Sequence, residues 1–209
     1  QLTERNVLVF ALSLGLLAMA TLVLWVNILT AILTLLSLIG YAIVYTVWLK
    51  RATPQNIVIG GLSGAMPPLL GWTAVTGTVE PGGLLLVLII FAWTPPHFWP
   101  LAIHRKNDYA KTNIPMLPVT HGEALTNLHT LLYTIIMLVV SVMPYLTGMS
   151  GVFYLMSALV LGAGFLYHSI NLMVTKRPQA AMQTFRFSIF YLIALFIVLL
   201  IDHYLGQLL

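Results

Sequence analysis

Residues 7–26 read VLVFALSLGLLAMATLVLWV, 20 residues in a row without a charge. As a helix such a run crosses the roughly 30 Å hydrocarbon core of a bilayer. A membrane β-strand would instead alternate polar and apolar residues over about ten positions. This stretch therefore sets an all-α membrane fold. Comparable runs follow at 28–49, 56–76, 83–103, 125–147, 152–173 and 185–205, giving seven predicted spans.

The composition agrees. Of 209 residues, 60% are apolar and 7% charged, and the mean hydropathy is +0.98. A soluble domain carries about 25% charged residues, so soluble, disordered and collagen-like classes are excluded. With no cysteine there is no disulfide framework, thiolate zinc site or cysteine nucleophile. The chain starts at Gln1 without a basic signal-peptide region, so its N-terminus reads as a cut edge.

The connections alternate between two sides. One carries Arg5, Lys50, Arg51, Arg105, Lys106, Lys111, Lys176, Arg177 and Arg186, all nine basic residues. The other has no Lys or Arg, only Glu80 and, near the membrane edge, Asp202. By the positive-inside rule the N-terminus is expected in the cytoplasm and the C-terminus outside, in a multi-pass cell (inner or plasma) membrane protein. The net charge of +4 then marks a membrane face and not a nucleic-acid partner. One connection is long, 104–124, and long ordered connections often carry function.

Three segments could carry chemistry. YAIVYTVWLKR (41–51) puts Tyr41 and Tyr45 on one helical face, followed by Lys50 and Arg51 at the membrane boundary. It reads either as an aromatic belt with snorkelling anchors or as a phosphate site below a tyrosine-lined cavity. IGGLSGAMPPLLGWTAVTG (59–77) suits close helix packing, and Pro67-Pro68 predicts a break lining a cavity. FAWTPPHFWPLAIHRKNDYAKTNIPMLPV (91–119) predicts a helix broken by Pro95, Pro96 and Pro100, with His97 in the break. A membrane-depth histidine faces a partner or a ligand, and both remain open for His97. Asp108 lies among Arg105, Lys106 and Lys111. It is either salt-bridged to one of them or a hard-oxygen ligand for a metal-bridged phosphate. His121 reads as a solvated loop residue, and His129 and His168 as hydrogen-bonded packing residues. Zinc-protease, P-loop, serine-hydrolase and EF-hand strings are absent.

WTPPHFWPLAI (93–103), DYAKTNIPMLPV (108–119), SGAMPPLLGWTAVTG (63–77) and YTVWLKR (45–51) together resemble the UbiA-type intramembrane prenyltransferases. The resemblance is to the branch that farnesylates haem, and it runs the whole chain. It implies a nine-helix protein that moves a farnesyl group from farnesyl diphosphate to the 2-vinyl group of haem B. Water adds and diphosphate leaves, giving haem O for terminal oxidases. It implies Mg²⁺ held by two aspartate-bearing loops. It also points to a haem A synthase or terminal oxidase assembly as partners.

The first such loop, N-x₃-D-x₃-D, does not occur in this sequence. Residues 1–209 are therefore expected to form one prenyltransferase domain lacking two helices and the first motif, and to be inactive alone. Under the resemblance Asp108 binds Mg²⁺, while Lys50, Arg51, Arg105, Lys106 and Lys111 hold diphosphate. Tyr41, Tyr45 and Trp93 line the prenyl cavity, Tyr109 adjoins the substrate, and His97 meets haem. Two rivals are a related enzyme acting on a quinone or chlorin precursor and a small-solute transporter. A transporter should show repeat symmetry, which this sequence lacks.

Overall fold

A computed structural model of the chain describes residues 3–112, 114–175 and 177–208. Lys176, counted above among the cations, lies outside the described residues. The protein is an all-α polytopic membrane bundle. Among the described residues, seven helical segments are long and apolar enough to cross a bilayer.

Helix α1 (Glu4–Trp25) starts at Thr3, whose side chain accepts from the Asn6 N–H at 3.4 Å. Asn27 makes the turn into α2 (Ile28–Ile39). Its Oδ1 caps the Thr30 N–H at 2.8 Å, and its amide donates to the Thr73 carbonyl at 2.8 Å. The second span then widens into a π-helical stretch, Gly40–Leu49, before the short α3 (Lys50–Ala52). Nothing in the residue pattern announces this widening. Such widenings are rare and often occur at functional sites.

The two proline pairs behave differently. The third span is divided at Met66 into α4 (Asn56–Ala65) and α5 (Pro67–Thr76), so the break expected there is present. Prolines at the first helical positions lose only N–H groups that have no partner anyway. The break expected in the fourth span does not form. Helix α6 (Pro81–His104) runs on through Pro95, Pro96 and Pro100. Neighbours enclose it there: Thr94 to Pro96, His97, Trp99 and Pro100 are all buried. That packing holds a helix that three prolines would otherwise weaken.

The long connection is not a structureless loop. It contains α7 (Lys106–Lys111) and α8 (Leu117–Thr120). Then come α9 (Gly122–Leu146), α10 (Val152–Thr175) and α11 (Pro178–Leu208).

Helices α6, α9, α10 and α11 form the core. Ile89, Met137, Phe165, Tyr154 and Tyr191 meet at its centre, each at most 1% exposed. Hydroxyls stitch it together. Thr126, Thr130, Thr134 and Ser141 each donate to the carbonyl four residues back. Thr134 also meets Ser169 at 2.8 Å, and Ser141 meets Tyr191 at 2.6 Å. Lipid is as apolar as leucine, so polar contacts and close packing hold such helices together. On the side away from the cations, buried Asp202 of α11 accepts from the N–H groups of Gly151 (2.6 Å) and Tyr154 (3.1 Å). It thereby caps the start of α10.

Candidate active site

The predicted residues fall into two groups. The first lies on the basic side, where α3, α4 and α7 approach. Tyr41 and Tyr45 stack with ring centroids 5.3 Å apart. Tyr45 packs directly on Gly60 of α4, where any Cβ would strike the ring. Lys50 is half-buried and Arg51 exposed. The Lys50 carbonyl accepts from the Asn56 amide at 3.0 Å, and Asn56 is fully buried. This bond fixes the Lys50-Arg51 turn against the first residue of α4. The next residue, Ile57, belongs to a cluster with Trp99, Met116 and Leu117, and Tyr109 packs against that cluster. Tyr109 also lies within electrostatic reach of Tyr45. The end of the second span and the Asp108-Tyr109 turn thus share one region of the basic side.

Two ion pairs occur among the described residues. Arg105 meets Asp108 at 3.7 Å, with side chains 61% and 65% exposed. Lys106 meets Glu123 at 3.1 Å. An exposed pair of the first kind is worth under about 1 kcal/mol and leaves Asp108 available. Lys50, Arg51 and Lys111 have no carboxylate partner among the described residues. No three His, Asp or Glu residues converge as a metal cage among the described residues. A lone accessible carboxylate fits another mode, in which Mg²⁺ takes one or two carboxylates and completes its shell with substrate phosphate and water.

The second group is buried between α6 and α11. His97 is sandwiched by Trp93, with centroids 4.0 Å apart, and Phe185, at 4.7 Å. Its Nδ1 pairs with the Ser188 hydroxyl at 2.7 Å, and the Trp93 indole donates to the Ser188 carbonyl at 2.8 Å. Trp93 therefore faces α11, whereas its neighbour Thr94 packs on Gly61 of α4. The structure does not bring Trp93 or His97 together with the three tyrosines.

The other histidines are dispersed. His121 pairs with the Thr120 hydroxyl at 2.8 Å and is exposed. His129 meets the Leu125 carbonyl at 2.9 Å. His168 packs on Phe187, but its buried Nδ1 has no partner among the described residues, contrary to the expected hydrogen bond.

Sequence reasoning missed Glu123, Asn127 and Arg177. With His104 they line a cavity of about 490 Å³ at the basic end of the four core helices. Glu123 holds Lys106 there. The two are 17 residues apart, and no local pattern signals such a pairing.

The fold and this site define an intramembrane protein that collects cations and the accessible carboxylate of Asp108 at a single membrane face. The chain matches the UbiA prenyltransferase family over residues 1–200 and belongs to that family. It is 61% identical over 205 residues to a protein of Teredinibacter turnerae named protoheme IX farnesyltransferase, covering 98% of this chain and 66% of that one. The protein of the same name from Saccharophagus degradans is 63% identical, with 98% and 68% covered. Protoheme IX farnesyltransferase 1 of Pseudomonas putida (strain GB-1) is 66% identical, with 95% and 67% covered. The chain thus spans about two thirds of the length of these relatives. No solved structure matches it.

Proposed function

We propose that this chain forms part of an enzyme that transfers a farnesyl group from farnesyl diphosphate to the 2-vinyl carbon of haem B, with water adding to give haem O. The observation that carries the reading is accessible Asp108 beside Arg105, on the helix whose Tyr109 approaches Tyr45 near the end of the second span, in a chain over 60% identical to named protoheme IX farnesyltransferases. The basic side is taken as cytoplasmic.

Farnesyl diphosphate reacts by losing diphosphate as an allylic cation forms. Charge builds on the leaving oxygens, so groups that bind that charge best at the transition state accelerate the step. Mg²⁺ would supply Lewis-acid stabilisation of the departing diphosphate when held by Asp108. Lys50, Arg51 and Lys111 carry no competing carboxylate among the described residues, so their charges can go to phosphate oxygens. Arg105 is tied only by its weak pair with Asp108, and Lys106 must share itself with Glu123. The stacked Tyr41 and Tyr45, with Tyr109 nearby, present π faces to the forming cation. His97 is assigned to the haem side, through iron or a propionate, at Nε2, with its Nδ1 kept on Ser188. A haem A synthase or a terminal oxidase assembly would receive the product.

The test uses membranes expressing the gene that encodes this chain, supplied with haem B and farnesyl diphosphate. Formation of haem O is expected. Replacing Asp108 by Asn should slow turnover on the order of 100-fold and raise the Mg²⁺ concentration needed. Full activity in that variant would return Asp108 to a surface salt bridge. A prenylated quinone or chlorin in place of haem O would move the enzyme to another branch of the family.

A further inference from the structure

Among the basic residues that the proposed transfer reaction leaves unused, Arg186 has the most specific surroundings. Arg186 lies on an exposed face of α11 and has no carboxylate partner among the described residues. It borders a groove of about 540 Å³ between α10 and α11, lined also by Tyr167, His168, Asn171, Gln183 and Phe187. The groove contains no acidic side chain. Two amides, a phenol and an imidazole share the lining with the guanidinium, and each can donate a hydrogen bond.

His168 adds an independent observation. Its Nδ1 is buried without a partner. An orphaned buried donor is rarer than an orphaned acceptor, which favours the ring proton on Nε2, the one ring nitrogen left to reach the groove. The ring is held by Phe187 at a centroid distance of 4.6 Å and by Tyr167 at 5.5 Å. The Thr184 hydroxyl donates to the His168 carbonyl at 3.2 Å and fixes the backbone beneath it.

An arginine that only snorkelled would reach water past apolar neighbours. This one shares with four donor side chains a groove made by two adjacent spans. Its helix, Pro178–Leu208, has 31 residues. That is about 46 Å, longer than the roughly 30 Å hydrocarbon core. Arg186, eight residues from the helix start, therefore sits near headgroup depth. Basic pockets of this kind between spans bind lipid phosphates. We propose that the α10–α11 groove is a site for the phosphate of an anionic bilayer phospholipid, with Arg186 giving a two-pronged bond and His168, Gln183 and Asn171 completing the shell. The acyl chains would run down the apolar flank beyond Phe187.

The experiment purifies the chain in mild detergent, adds phosphatidylglycerol or phosphatidylcholine, and counts bound lipids by native mass spectrometry. Selective retention of phosphatidylglycerol is expected. It should weaken on the order of 10-fold in Arg186→Gln and less in Arg186→Lys, which keeps the charge but loses the fork. Arg177→Gln, which removes a charge at the other cavity, should bind as wild type does. Thermal unfolding in phosphatidylglycerol against phosphatidylcholine nanodiscs provides a second reading, and Arg186→Gln should lose the difference between them. Equal retention by wild type and Arg186→Gln would overturn the proposal. So would equal binding of the two lipids, or displacement of the lipid by excess inorganic phosphate, which would make this a site for the free anion.

Discussion

The first two spans are, taken together, more apolar than the four core helices, yet the core helices are the ones that bury their residues. Among its described residues, α1 buries none, and α2 buries only Thr30 and Ala31. In α6, twelve residues are buried, Trp99 completely. Length and apolarity secure a place in the bilayer but not a place in a core. Core membership comes from hydroxyls, aromatic rings and small residues at helical spacing, which find partners on neighbouring helices. The threonines of α9 recur at 126, 130 and 134, whereas the outward residues of α1 are interchangeable aliphatics.

Five substitutions at four positions would break or sharpen this contrast, read as unfolding free energy in mixed micelles. Trp99→Ala should be the most damaging, at about 3–5 kcal/mol, because the side chain is 0% exposed. Trp99→Phe should recover most of that, since the indole N–H has no partner among the described residues. Near-equal losses for the two would show that the N–H has a partner after all. Asp202→Ala comes next, at about 1–3 kcal/mol. It strips the cap from the N–H groups of Gly151 and Tyr154, and amide exchange at those two residues should rise before the rest of α10 responds. Tyr191→Phe, which removes the partner of Ser141, should cost about 0.6 kcal/mol, the usual worth of an interhelical bond in lipid. Trp25→Ala closes the series with a change within about 0.5 kcal/mol, because Trp25 is 76% exposed. A cost there matching that of Trp99→Ala would mean that α1 is packed, and the contrast would fail.

Much of this was legible in the sequence. The seven runs became seven helical segments with ends shifted by at most three residues, except that α11 begins seven residues before the expected 185, because apolar length is a local property. Lys50, Arg51 and Asp108 were found by their charge, which stands out in so apolar a chain. The π-helical stretch was not legible, since no residue in Gly40–Leu49 is forbidden in an α-helix. The prolines of α6 misled because local backbone rules favour a break and distant packing overrides it. The Ser188 partner of His97 lies 91 residues away. No periodicity reports a contact made only when two spans meet, and the same holds for Asn56 and Glu123.

The cap that Asp202 places on α10 also has a meaning in time. Donors and acceptor are separated by 51 and 48 residues. A ribosome adding about 5–20 residues per second needs roughly 3–10 s to make that stretch. Through that interval α10 exists with two open N–H groups at its leading turn, served only by water at the membrane edge. The carboxylate that closes them arrives on α11. Insertion of α11 therefore acts as a latch, and α10 gains its full anchorage only when that span is in place.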